Sequence, residues 1–389
     1  MADKTRVLNN INVLSLFDGM SCGMLALQRA GITVKNYDAY EIDKYAIQVS
    51  KHNFPNIKQH GDVFNTDYKQ YENIDILMGG SPCTYWSIAQ RKNRETEASG
   101  LGWDLFQQYI KALNTVKPKY FIYENNYSMS KDIRKSIDEA FGIEAIMINS
   151  ALLSAQQRKR LYWVGCRQDD GSYQQVQINQ PPNLGIKVKD ILDSGKAWTD
   201  KSYCLTKSYN GAVIWNTLER KQRTMVAEPL ETGFTPKKVG ALPRPNGELS
   251  NSQGFRLYSV DNKGVSLTAN GGGVGAKTGL YAVPFDSKKE HNKNSLCYSV
   301  SDKTVNIKGN TYPINLSDGL YQFRKLSVAE CKKLQTVPDT FDFSAVSDNQ
   351  AYKCLGNGWT VDVIVWLLEA IKTTNIKERD NENHQTRQT

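Results

Sequence analysis

Cys83 is the residue best suited to covalent chemistry. Upstream, Ile74-Asp75-Ile76-Leu77-Met78 reads as a short buried strand, and Gly79-Gly80-Ser81-Pro82 ends it in a tight turn. A free cysteine behind a strand is often just a core residue. Here Pro82 fixes the backbone before the thiol, and polar Thr84 and Ser87 follow, which favours a presented nucleophile. A carboxylate follows the same logic. Tyr120-Phe121-Ile122-Tyr123 is strongly β-prone, and Glu124-Asn125-Asn126 lies at its C-terminal edge. In a parallel sheet, Cys83 and Glu124 would face one crevice. A third cluster, Gln156-Gln157-Arg158-Lys159-Arg160, precedes the strand Leu161–Cys166. On its own it reads as a solvated basic face.

The elements that would carry these groups alternate. Ile11–Phe17 is a strand, Asp18-Gly19-Met20-Ser21-Cys22-Gly23 a small-residue turn, and Met24–Ala30 a helix stopped by Gly31. Strand, glycine turn and helix resemble the opening of a nucleotide-type fold, though the turn lacks G-x-G-x-x-G. Val34–Tyr40 is the next strand, with Glu41-Ile42-Asp43 at its end and a helix over Tyr45–Asn53. A carboxylate there can accept both ribose hydroxyls, or simply begin a helix. Gly61-Asp62-Val63 forms another turn with one carboxylate. Thr84–Leu101 is polar and reads as a lid-like loop. Helices over Leu105–Val116 and Lys131–Phe141 and a strand over Glu144–Ile148 complete this α/β region.

From 167 to 321 the texture changes to short strands and loops rich in Gly, Asn, Ser, Lys and Tyr. Tyr258-Ser259-Val260 recurs as Tyr298-Ser299-Val300, and Gly279-Leu280-Tyr281 as Gly319-Leu320-Tyr321, which suggests a duplicated β unit. Gly271-Gly272-Gly273 with Gly275 reads as a loop without phosphate-binding context. Ser327 and Glu330 are spaced as a capping box. Val361–Ile371 is an apolar helix that must pack back on the first region. Residues 374–389 read as a disordered tail.

A chain of 389 residues, 40% hydrophobic, can build one large and one smaller domain. A net charge of +9 fits either a polyanionic partner or a solvated basic surface. Seven scattered cysteines and four histidines give no disulfide framework and no zinc spacing, so no metal is expected. No apolar run reads as a membrane span or signal peptide, so a soluble, cytoplasmic protein is expected.

Taken in order, these residues resemble the DNA (cytosine-5) methyltransferases. The marks are Phe17-Asp18-Gly19 with Gly23, Glu41, Asp62, Pro82-Cys83, Glu124-Asn125, Gln156 with Arg158 and Arg160, Arg324-Leu326-Ser327 with Glu330, Leu334-Gln335, Pro338-Asp339 and Gly356-Asn357. They cover roughly 11–166 and 322–371. The first loop departs from the tighter F-x-G-x-G of many bacterial members. Together with Gly356-Asn357-Gly358-Trp359 it is more similar to the animal de novo enzymes, and Asn126 stands where many members carry Val.

The resemblance implies a Rossmann-like, S-adenosylmethionine-dependent methyltransferase domain with a mostly parallel sheet, formed by 1–166 and 322–373. It implies a smaller β- and loop-rich target-recognition domain at 167–321. Cys83 would attack cytosine C6, Glu124 would serve N3, Arg160 would bind O2, and Arg158 would support the site and a nearby phosphate. On the cofactor side it implies Phe17 and Ile42 against the adenine, Asp18, Gly19 and Gly23 in the loop, Glu41 on the ribose, and Asp62 on the adenine amino group. Leu105 and Pro82 would line the ring and the site, and Asn357 and Trp359 would close the methionine end. The implied partner is double-stranded DNA, bound by a monomer in a bacterial or phage-infected cell, with or without a cognate restriction endonuclease. Two alternatives stand beside this. One is the same chemistry on transfer RNA, whose enzymes carry a Cys-Phe-Thr signature not found here. The other is a non-catalytic DNA-binding regulator, against which the joint retention of Cys83, Glu124, Arg158 and Arg160 argues.

Overall fold

The computed structural model describes residues 8–88, 94–230, 238–241, 256–259, 280–282 and 297–385. Strand and helix alternate through β1 (Ile11–Leu16), α1 (Cys22–Arg29), β2 (Val34–Tyr40), α2 (Lys44–Asn53), β3 (Lys58–Gln59), β4 (Ile76–Gly79), α3 (Gly100–Val116), β5 (Tyr120–Asn126), α4 (Lys131–Phe141), β6 (Ile146–Asn149), β7 (Lys159–Arg167) and β8 (Tyr173–Gln175). One sheet holds them in the order β3-β2-β1-β4-β5-β7-β6, with β8 also on β7. The strands from β1 to β5 run parallel, and β7 is antiparallel to β5, β6 and β8. This is the mixed α/β, mostly parallel sheet that the sequence predicts. Strand order reverses between β1 and β4, and such a switch point leaves a crevice beyond the strand C-termini.

A short helix, α5 (Ile214–Leu218), then leads to the second region. There β9 (Met225–Pro229) forms the edge of a five-stranded antiparallel sheet. A three-stranded sheet is formed by β10 (Lys238–Ala241), β11 (Arg256–Ser259) and β12 (Leu280–Ala282). The other antiparallel strands are β13 (Cys297–Ser301), β14 (Thr304–Ile307), β15 (Asn310–Pro313) and β16 (Gly319–Lys325), in the order β15-β14-β13-β16-β9. Helices α6 (Val328–Leu334), α7 (Asp348–Asn357) and α8 (Val361–Gln385) end the chain.

Period-two alternation gives the large sheet two buried faces. Val13, Ile76, Met78 and Ile122 share one core with Ala26 and Leu27 of α1 and with Ile364, Leu367 and Leu368 of α8. Leu14, Leu77, Phe121 and Tyr123 point the other way, onto Phe106 and Tyr109 of α3 and Ile133 and Ile137 of α4. The C-terminal helix therefore packs on the N-terminal one, as its apolar sequence requires, and Arg29 pairs with Asp362 across that contact. The stretch Asp348–Thr374 has the hydropathy of a membrane span. It is interrupted between α7 and α8, and Val361, Val363, Ile364, Leu367, Leu368 and Ile371 are buried in protein.

Three sequence expectations are corrected. Helix α3 begins at Gly100 rather than Leu105. Gly102 is no breaker there: a Cβ would lie 2.7 Å from the Trp86 indole nitrogen, so glycine admits that buried ring. Helix α8 runs to Gln385 across most of the stretch expected to be disordered. Once the buried turns nucleate a helix, adding a polar residue costs little. The tyrosine repeat pairs in both copies, Tyr258 with Tyr281 and Tyr298 with Tyr321, but the first pairing is parallel and the second antiparallel. The two are not copies of one unit. Val260 and Gly271–Gly275 lie outside the described residues.

Candidate active site

Cys83 opens a single 3-10 turn just past β4, behind the Pro82 cap, and is exposed. The turn is held from below. The Ser81 hydroxyl meets the Tyr123 hydroxyl at 2.6 Å. Asn125 Nδ2 donates to the Ser81 carbonyl at 3.2 Å and reaches the Tyr123 hydroxyl at 3.3 Å. Buried Tyr hydroxyls need partners, so β5 fixes the loop that β4 delivers. Sequence reasoning missed Ser81 and Tyr123. The available signal was a tyrosine inside a strand too apolar to leave its hydroxyl in water.

Glu124 lies on β5, in the register next to Gly79 of β4 through Tyr123. A Cβ on Gly80 would come within 2.9 Å of Glu124 Oε2, so glycine lets the Cys83 loop run directly over the carboxylate. Both carboxylate oxygens are held. Arg160 Nε is 2.9 Å from Oε1, and Trp359 Nε1 donates to Oε2 at 3.0 Å. Although Cys83 is exposed as a residue, the protein packed around the thiol desolvates it and pushes it above its ordinary value, while the Arg160 guanidinium opposes this and the Glu124 charge adds to it.

Arg158 is buried. Its guanidinium donates to the carbonyls of Leu205 (2.9 Å), Gly356 (3.3 Å) and Gly358 (2.9 Å). All of its reach is internal, so the phosphate contact expected of it is not available in this geometry. It instead ties the 204–205 segment to the α7–α8 junction. Cys204, another residue the sequence did not single out, receives both arginines. Nη1 of Arg158 is 3.5 Å and Nη2 of Arg160 3.9 Å from its sulfur. Burial would raise the Cys204 thiol, but the two guanidinium groups outweigh it and pull it below its ordinary value. Gln156 completes the tie. It accepts from Leu205 N at 2.6 Å and donates to Gln335 Oε1 at 3.2 Å, and Gln335 in turn bonds Thr360 and Leu355.

The crevice continues past β1 and β2. Phe17, Gly19 and Ser21 all take left-handed φ (59°, 60° and 65°), a costly conformation for Phe17. Asp18 sits under the loop and accepts from Ser15 (2.6 Å), Ser21 and Tyr37 (2.7 Å). Burial pushes its carboxyl up to about 6, against those three hydrogen bonds. Gly23 lies in the first turn of α1, where a Cβ would lie 2.9 Å from the Tyr37 hydroxyl. Glu41 accepts from Gly19 N at 2.8 Å and from Ile42 N and Asp43 N, so it joins the ends of β1 and β2. Beside it Ile42 is 75% exposed, and Asp62, itself exposed, caps the next turn through Phe64 N at 3.0 Å. Leu105 and Phe17 are partly buried against the same core cluster. Asn357 ends α7 with an exposed side chain.

These residues suit an adenosyl group: the Glu41 and Asp62 carboxylates can accept hydrogen bonds from hydroxyl or amino groups, and Phe17, Ile42 and Leu105 offer apolar surface for a ring. Among the described residues, no cluster of His, Cys, Asp and Glu is arranged for a metal. The loop after Cys83 is anchored at its described ends. Trp86 is fully buried and donates to Glu95 at 3.0 Å, and Arg94 donates to the Ser128 carbonyl at 2.6 Å. Arg91 and Lys92 lie outside the described residues.

A family model described as C-5 cytosine-specific DNA methylase matches residues 11–373. The orphan methyltransferase M.SPRI of Bacillus phage SPR is 26% identical over 95% of this chain and 99% of its own length. The type II methyltransferase M.HhaI of Haemophilus parahaemolyticus is 26% identical over 94% of this chain and 95% of its own. Among solved structures, S. pombe Dnmt2 methyltransferase superposes with a TM-score of 0.51 at 13% identity, over 94% of this chain and 99% of that one. At that identity the likeness is one of fold.

Proposed function

The chain belongs to the C-5 cytosine-specific DNA methylase family, and we propose that it methylates C5 of a cytosine everted from a specific duplex DNA sequence, with S-adenosylmethionine as donor. The observation that carries this reading is Cys83 on the loop after β4, beside a Glu124 that Arg160 holds at 2.9 Å.

Cytosine C5 is a poor nucleophile. Addition of the Cys83 thiolate to C6 makes C5 enamine-like and splits one hard step into easier ones. The charge driven onto the ring reaches N3 and O2. Glu124 would hydrogen-bond or protonate N3, work typically worth ~10²–10⁴-fold in rate. Arg160, already between Glu124 and Cys204, has donors left for O2. S-adenosylmethionine, when bound, supplies an electrophilic methyl group. Phe17, Ile42 and Leu105 would flank its adenine, Glu41 its ribose hydroxyls and Asp62 its amino group, while the Asp18-Gly19 loop, Gly23, Pro82 and Asn357 shape the walls. The closing step needs a base for the C5 proton, and water can serve.

A stacked base hides C6 from any thiol, so the cytosine must leave the helix, at a cost of a few kcal/mol. The region 167–321 would read base edges in the major groove, while 1–166 with 322–373 performs the chemistry. We place the enzyme in the cytoplasm of a bacterial or phage-infected cell, acting as a monomer, with or without a companion endonuclease.

The test is methyl transfer from radiolabelled S-adenosylmethionine to duplex DNA and to transfer RNA in parallel. Label in the duplex alone, mapped to 5-methylcytosine in one sequence, is the expected result. Label in transfer RNA alone would give the substrate to RNA, and none in either would favour a binding protein.

A further inference from the structure

We propose that Trp359 is a positioning residue for Glu124: its indole N–H and the Arg160 guanidinium clamp the two carboxylate oxygens from opposite partners and fix the face offered to the base. The proposal rests on the reaction assigned above. The resemblance implies a place for Trp359 at the methionine end of the cofactor, and says nothing of a contact with the carboxylate.

The contact is direct. Trp359 Nε1 donates to Glu124 Oε2 at 3.0 Å, and Arg160 Nε meets Oε1 at 2.9 Å. Indole is a donor only, so it can hold an acceptor and cannot take a proton from it. Free rotation of Glu124 would swing its oxygens between N3 and the Cys83 loop. With one oxygen on each partner, the carboxylate keeps a single rotamer and presents its remaining lone pairs to the crevice. Gly80 makes the arrangement possible, because a Cβ there would lie 2.9 Å from Glu124 Oε2 and 3.4 Å from the indole nitrogen.

The backbone gives the clamp its base. Gly358 passes close to Cys22 at the start of α1, where a Cβ would come within 3.2 Å of the Cys22 sulfur. The Gly358 carbonyl accepts from Arg158 at 2.9 Å and from Gln335 at 3.1 Å. Trp359 thus hangs from a segment pinned to the first helix and to Arg158, and reaches across to β5. The Gly358-Trp359 segment links the start of α1 to the carboxylate on β5.

The experiment uses the full chain and two variants, Trp359→Phe and Glu124→Gln. Trp359→Phe keeps the ring and removes the N–H. We expect kcat on duplex DNA to fall about 10- to 100-fold, the effect of losing one hydrogen bond to a charged group, with the KM for S-adenosylmethionine changed less than about twofold. A wild-type kcat overturns the clamp. A rise in that KM matching the whole loss assigns Trp359 to the cofactor wall instead, and also overturns it. The second readout needs no turnover. In the ¹⁵N-tryptophan-labelled chain, the indole resonance missing from Trp359→Phe should shift on Glu124→Gln, and an unmoved resonance overturns the contact. If the wild-type chain methylates nothing while that resonance does shift, the assigned reaction fails and the clamp stands.

Discussion

At the level of single residues, the chemistry depends on how charge is arranged around two sulfurs and two carboxylates. The Cys83 thiol is held above its ordinary value by desolvation from the surrounding protein and pulled back by Arg160. Arg160→Ala should therefore slow alkylation of Cys83 by iodoacetamide at neutral pH and move the rise in rate to higher pH. An unchanged rate profile would mean that Arg160 does not act on the thiol. Asp18 behaves in the opposite sense to a salt-bridged acid. Its folded value, about 6, lies above the ordinary 3.8, so the unfolded chain loses this proton first as pH rises. The buried charge then costs stability increasingly between about pH 4 and pH 6, reaching on the order of 3 kcal/mol. Asp18→Asn should gain stability relative to wild type across that window in denaturant melts taken at several pH values. A pH-independent difference would contradict the assignment.

At the level of elements, the strands and helices near the site were largely legible, because each carries its own signal. Val34–Tyr40 and Lys131–Phe141 lie where their patterns put them, and Ser327 with Glu330 does form the capping box. What sequence could not give was contact between distant segments. Nothing local in Arg158 says that its guanidinium will be consumed by the carbonyls of Leu205, Gly356 and Gly358. Nor does Gly356 announce that a Cβ would strike the backbone of Thr206 and Lys207, at 2.2 and 2.4 Å. That close passage gives a prediction belonging to α7. Gly356→Ala should destabilise the fold by about 3 kcal/mol or more, since neither backbone can yield as a side chain would. The loss should appear as a lower urea midpoint, and an unchanged midpoint would show that the two segments separate easily.

At the level of the whole molecule, the two ends of the chain complete one core and the middle is tied back to it. Helix α8 shares its apolar face with α1. Arg324 at the end of β16 forks onto buried Glu330 at 2.8 and 2.9 Å and onto Glu228 of β9. Composition foretold a basic protein but not where the charge would act. If the +9 excess serves duplex DNA, affinity should fall log-linearly with salt concentration, as phosphate neutralisation requires. Binding insensitive to salt would remove DNA as the reason for the charge.

The most direct test of the account is covalent. A duplex carrying 5-fluorocytosine at the methylated position cannot release the C5 substituent as a proton, so attack by sulfur at C6 should end in a trapped protein–DNA adduct. Peptide mapping should find the link at Cys83, and Cys83→Ser should form none. An adduct on another residue, or turnover at that position without any adduct, would contradict the central claim.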